Sequence, residues 1–151
     1  MLKKKYLLFL LLIVPAFLGA QSTLDEIGTL LDTSVVTYAQ VASFTLQAAD
    51  VSVVGGSQEA FNFAVSLGWL PGNVSPGDPA RLSNIALLFM RSFDIRGGIM
   101  YSIFGNAHYA YRELRYFGVI QGRTVSSMFI SGEQFLFYIN RMIVMQEEWE
   151  N

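Results

Sequence analysis

Apolar residues recur along this chain at helical spacing, in short blocks separated by glycine, proline and small polar residues. In the first block Leu24, Ile27, Leu30 and Leu31 fall three, three and one apart, the spacing of a single helix face. Asp32-Thr33-Ser34 interrupts with residues that favour caps. Thr37 to Ala49 then resumes a helical pattern, with Val41, Phe44 and Ala48 on one side. Val54-Gly55-Gly56-Ser57 breaks the chain. Ser57 is the expected N-cap of the next helix, with Gln58 and Glu59 in its first turn. Phe61, Ala64, Val65 and Leu67 form its apolar stripe, and Gly68 is its expected C′ stop.

Residues 69–81 hold Pro71, Pro76 and Pro79 with Gly72 and Gly77, and are predicted to form an ordered loop with an extended pair at Trp69-Leu70. Ser83 or Asn84 opens a helix to about Phe93, and Asp94 to Gly98 is a turn. Ile99 to Phe104 is a short helix closed by Gly105-Asn106. A further helix runs from about Ala107 to Phe117 with Gly118 as its stop, followed by a loop to Ile130. Ser131 and Gln134 have the spacing of a capping box. The helix they open carries Phe135, Leu136, Ile139, Met142 and Ile143 towards Trp149. Glu147, Glu148 and Glu150 oppose the dipole at its end, so fraying is expected there. The fold class is all-α.

The same order of elements occurs twice. A shift of fifty residues places Ala60-Phe61 on Ala110-Tyr111 and Gly68 to Gly72 on Gly118 to Gly122. It also places Ile85 to Leu88 on Phe135 to Tyr138, and Arg91 on Arg141, without a gap. A repeat of this size implies one helix–loop–helix unit used more than once, each copy covering the apolar face of the next.

The first twenty residues stand apart. Lys3, Lys4 and Lys5 precede the apolar run Tyr6 to Val14, and Pro15 to Ala20 ends in small residues, the layout of a secretory signal peptide cleaved after Ala20. An uncleaved anchor is the other reading, although the run is short for a bilayer span. Gln21 stands where a lipoprotein would carry cysteine. Residues 21–151 then make a single domain, with a partial unit at about 24–50 and full units at about 58–93 and 108–147. The chain is expected to be exported, to the periplasm or cell envelope. It has no cysteine, so packing rather than disulfides must hold it, and thiol chemistry is excluded. Beyond residue 20 there are seven arginines, no lysine and twelve acids. No basic stripe suited to nucleic acid results. The high apolar share points either to a rich core or to a surface that meets a partner or membrane.

The unit resembles an S-layer homology (SLH) module: a helix, a Gly-aromatic or Gly-aliphatic turn, a Pro-rich loop, then a helix opened by a Thr-Arg-Ala-Glu-like tetrad. Ala60 to Leu70 resembles the first helix and turn, and Ser75 to Arg91 the loop and second helix. Tyr109 to Met142 is similar, and Val36 to Ala42 resembles the opening of a second helix in a partial copy. The resemblance implies a non-catalytic bacterial envelope protein that binds an anionic cell-wall glycan or an envelope protein. In those modules the tetrad arginine contributes to glycan binding. Here its slot holds Tyr38, Leu82 and Gly132, and Arg81 stands one place early, about 100° round a helix.

The candidate ligand-binding residues are therefore Arg81, Arg91, Arg112, Arg141 and Trp69, the last as a sugar-stacking ring. Each has a plainer role to set beside it. Arg91 and Arg141 suit a helix C-terminus or pairing with Glu59 or Glu113. Arg112-Glu113-Leu114-Arg115 suits a solvated face. Trp69 suits a buried loop anchor. His108 is the one histidine and has no nucleophile or ligand set around it in sequence; Glu113 lacks the second carboxylate that glycosidase chemistry needs. No cofactor, metal or catalytic residue is expected. The competing reading is a structural subunit that forms a homo-oligomer or contacts a membrane surface through its aromatic C-terminal helix.

Overall fold

The computed structural model describes residues 23–150, and every regular element among them is an α-helix. Residues 23–31 (α1) precede Tyr38–Ala48 (α2), Ser57–Ser66 (α3), Leu82–Ser92 (α4), Ile99–Phe104 (α5), Ala107–Tyr116 (α6) and Gly132–Glu150 (α7). The proposed signal peptide lies outside the described residues. None of the described helices is long and apolar enough to cross a membrane.

The caps explain most of the boundaries. Thr37 accepts from the Gln40 N–H while Gln40 Oε1 accepts from the Thr37 N–H, a reciprocal capping box that starts α2. Ser131 and Gln134 do the same for α7. Asn106 caps α6 by accepting from the Tyr109 N–H at 3.1 Å. Two starts and one end differ from expectation. The N-cap of α3 is Gly56, and Ser57 is its first helical residue; Glu59 Oε2 reaches back to the Gly56 N–H at 2.8 Å and supplies the cap instead. α4 opens at Leu82 with Arg81 as N-cap, earlier than Ser83 or Asn84, because backbone carbonyls from a distant loop satisfy its first N–H groups. The acidic end of α7 stays helical through Glu150, where the Trp149 ring packs edge-on against Phe117 at 5.2 Å.

The turns after α3 and α6 are alike bond for bond. Gly68 and Gly118 take φ of +70° and +76°. The Gly68 N–H donates to Val65 O and the Gly118 N–H to Arg115 O. Trp69 and Leu70 N–H both donate to Ala64 O, and Val119 and Ile120 N–H both donate to Leu114 O. Trp69-Leu70 is thus part of a helix C-terminal turn and not an extended pair.

Three helix starts meet at the centre. Val36, Ala80 and Ile130, each just before a cap residue, are at most 1% exposed. The Val36 N–H donates to Ile130 O at 3.0 Å, and the Ala80 N–H to Val36 O at 2.9 Å. Thr37 bridges Pro79, and Arg81 bridges Phe129. The first-turn N–H groups of Tyr38 and Leu82 donate to Asp78 O and Met128 O, and that of Gly132 to Thr33 O. Each loop therefore satisfies amides that a helix N-terminus leaves without intrahelical partners. This closes a ring through the chain segments before α2, α4 and α7. Gly132 is obligatory in it: a Cβ there would overlap the Leu30 carbonyl.

Packing runs outward from the ring. α2 lies chiefly against α3, α4 against α6, and α5 against α6. The principal partner of each first helix thus belongs to the preceding helix–loop–helix segment. One continuous core results, with Phe89, Phe135, Leu82 and Met142 fully enclosed. Some residues of the predicted stripes lie outside it. Leu24, Leu31 and Leu67 are exposed, and in the first block only Leu30 is buried, because a single contact line faces the ring.

Candidate functional site

Arg141 is half-buried, and its Nε donates to the Gly118 carbonyl at 2.7 Å. Its guanidinium carbon also stands 5.8 Å over the Phe137 ring. Arg91 is exposed and repeats this chemistry on another target. Its Nη2 donates to the Gly105 carbonyl at 3.2 Å, and its guanidinium carbon lies 5.7 Å over the Tyr101 ring. Gly118 follows the C-cap of α6, and Gly105 is the C-cap of α5. Both arginines therefore bond a carbonyl at a helix end, where cations are favourable. Their recorded partners are these carbonyls and rings, not Glu59 or Glu113.

Arg81 is exposed, and its guanidinium carbon lies 6.0 Å over Phe129, itself 45% exposed. Arg112 is exposed on α6. Trp69 is half-buried and meets Phe63 edge-on at 6.1 Å, so much of its ring packs the α3 turn. The tetrad slots are inside. Tyr38 and Leu82 are 2% and 0% exposed, Gly132 is buried, and the Tyr38 hydroxyl accepts from Asn84 Nδ2 at 2.6 Å. These three positions build the central ring and present nothing to a ligand.

A polar cluster that spacing did not single out joins α6 to the following loop. The Tyr111 hydroxyl donates to Thr124 O at 2.8 Å, and Arg115 Nη1 donates to the same carbonyl at 3.3 Å. Burial raises the pKa of nearby Tyr138, with Tyr111 adding to the rise and Arg115 opposing it. Tyr101 is likewise raised by burial, opposed by Arg91 and helped by Glu113. Its buried hydroxyl has no hydrogen-bond partner. Both phenols therefore stay protonated and uncharged near pH 7.

The clefts do not gather the candidates. Arg141 shares one with Phe117, Asn140 and Glu148, so a carboxylate lines it beside the guanidinium. Another, of about 330 Å³, lies between Glu26, Gln40, Phe44 and Ser57 and contains no arginine. Arg81, Arg91, Arg112 and Trp69 line neither these nor the clefts by Gln121, Val51 and Phe93. His108 is exposed against the edge of Tyr109. Among the described residues no group of three or more His, Cys, Asp or Glu side chains is placed to hold a metal ion. Of the candidates, Arg81, Arg91 and Arg112 are exposed cations on a helical frame, while Arg141 and Trp69 are half-buried. Comparison with protein families, curated proteins and solved structures finds no match to the chain.

Proposed function

We propose that this chain is a non-catalytic, exported protein of the bacterial cell envelope that attaches or scaffolds through SLH-like units. One partial and two full units would make up residues 24–147, behind a cleaved signal peptide. The observation that carries the reading is the fifty-residue recurrence of structure. α3 and α6, the turns after them, and the starts of α4 and α7 all fall fifty residues apart. A non-catalytic role agrees with rings and guanidinium groups spent on packing and helix ends.

Because Arg91 and Arg141 are engaged internally, the exposed Arg81 and Arg112 are the better candidates for an acidic glycan. Retention of residues 21–151 on purified cell-wall sacculi tests this. Retention that falls in an Arg81→Ala, Arg112→Ala variant supports glycan attachment. No retention of the wild type removes it and leaves an envelope protein as the partner.

A second reading, a subunit that oligomerises or lies on a membrane, is favoured by exposed apolar residues of α7. Phe137, Val144 and Trp149 are 49%, 45% and 52% exposed. Sedimentation of the same chain separates the two, since a monomer indifferent to liposomes counts against the subunit.

A further inference from the structure

α5 is the most conspicuous apolar surface. Ile99, Met100, Ile103 and Phe104 are 78%, 49%, 66% and 55% exposed, and their spacing of one, three and one puts them on one side of the helix. The opposite side holds Tyr101, buried to 7%, with Arg91 stacked on it and bonded to the carbonyl that ends the helix. Phe104 is stacked on Tyr109 of α6 at 5.2 Å. The helix is thus fastened from beneath while its apolar face points outward. Such contiguous exposure in a small protein marks an interaction site.

Charge identifies the partner. Residues 81–123 carry six arginines against only Asp94 and Glu113, whereas residues 21–80 carry six acids and neither lysine nor arginine. α5 sits in the middle of the cationic segment, with Arg96 exposed just before it and Arg112 exposed on the helix it packs against. The Glu113 carboxylate also stands close to Gly98 at the start of α5. The segment as a whole is nevertheless cationic, and an exposed apolar face within it suits an interface of acyl chains and anionic headgroups. A second copy of this chain is the competing occupant. The cleft beside its acidic block sets Glu26 and Gln40 beside Phe44, and sedimentation decides between that and lipid.

We infer that α5 is a membrane-surface contact, inserting Ile99, Met100, Ile103 and Phe104 into an anionic lipid interface while Arg96 and Arg112 bind headgroup phosphates. The inference shares Arg112 with glycan attachment, but its apolar face does not enter that reading, so loss of sacculus retention would leave it standing.

Flotation of residues 21–151 with vesicles of equimolar phosphatidylcholine and phosphatidylglycerol, beside pure phosphatidylcholine, tests it. The chain floats with the anionic vesicles and much less with the neutral ones. Ile99→Glu with Ile103→Glu lowers partitioning about tenfold or more. Arg96→Ala with Arg112→Ala lowers it about fivefold per arginine and flattens its salt dependence. Circular dichroism and melting temperature are unchanged in both variants, since all four side chains are exposed. Flotation that is absent, equal on both vesicles, or untouched by the two glutamates overturns the inference. So does a dimer in sedimentation that those glutamates dissociate.

Discussion

Residues 57–92 and 107–142 share helix starts, turn bonds and loop length, yet the arginines that stand fifty residues apart in them bond differently. Arg141 bonds the turn glycine of its own segment, Gly118. Arg91, fifty residues earlier, ignores the corresponding Gly68 and bonds Gly105 at the end of α5. The carbonyl chemistry is conserved between the two while its target has moved. Arg91, on α4, thereby fastens the end of α5.

The ring is where the frame is least forgiving. Gly132→Ala pushes a methyl into the Leu30 carbonyl, and neither backbone can yield without opening the junction. We expect a loss of about 3 kcal/mol or more, or failure to fold, read by urea unfolding. A neutral result would mean that α1 does not close the ring.

The turns come next. Gly68→Val and Gly118→Val each force a side chain into the left-handed region and should each cost more than about 1 kcal/mol. A Cβ at Gly118 meets Arg141 Nη2 at 3.6 Å, an ordinary contact, and one at Gly68 meets nothing within 4 Å, so the two losses should be similar. A much larger loss at Gly118 would show that its turn depends on the arginine.

The arginines should differ in both size and place. Arg141→Ala removes a charged, half-buried donor and should cost about 1.5–2 kcal/mol in chemical denaturation. Arg91→Ala removes an exposed one and should cost under about 1 kcal/mol. It should instead speed amide exchange at residues 102–105 selectively. Exchange that rises evenly over α4 and α5 would contradict the clamp.

Tyr101→Phe should change stability least at neutral pH, or raise it slightly, because the hydroxyl it removes has no partner. Its effect appears in alkali. Burial raises the folded pKa above the ordinary 10.0, so the unfolded chain loses its proton first and stability falls as pH rises through and beyond that value. The phenylalanine variant should show a shallower loss above about pH 10; an unchanged slope would place the alkaline sensitivity elsewhere, Tyr138 included.

The helices were legible because their signals are local. Thr37 with Gln40, Ser131 with Gln134, and the glycines at 68 and 118 mark ends within a few residues of themselves. The ring was not legible, since its bonds join residue 36 to 130, 80 to 36 and 82 to 128, and no spacing rule links such distant loops. For the same reason the sequence showed Leu82 and Tyr38 only as non-basic residues in the tetrad slot, and not that they are core. Arg91 was placed correctly at a helix end, but its attachment to Gly105 depends on how α5 folds back. Leu24 and Leu31 satisfied helical spacing and still face solvent, because periodicity defines a face but not what covers it.

Hydrogen exchange at the Val36, Leu82 and Gly132 amides bears most directly on the claim that three helix starts close a single ring. These N–H groups donate to Ile130, Met128 and Thr33 carbonyls in turn. If the ring is one cooperative unit, all three exchange only through global unfolding and share one opening free energy. Fast exchange at Val36 and Gly132 with Leu82 still protected would show an open junction, and the three-part frame would not exist.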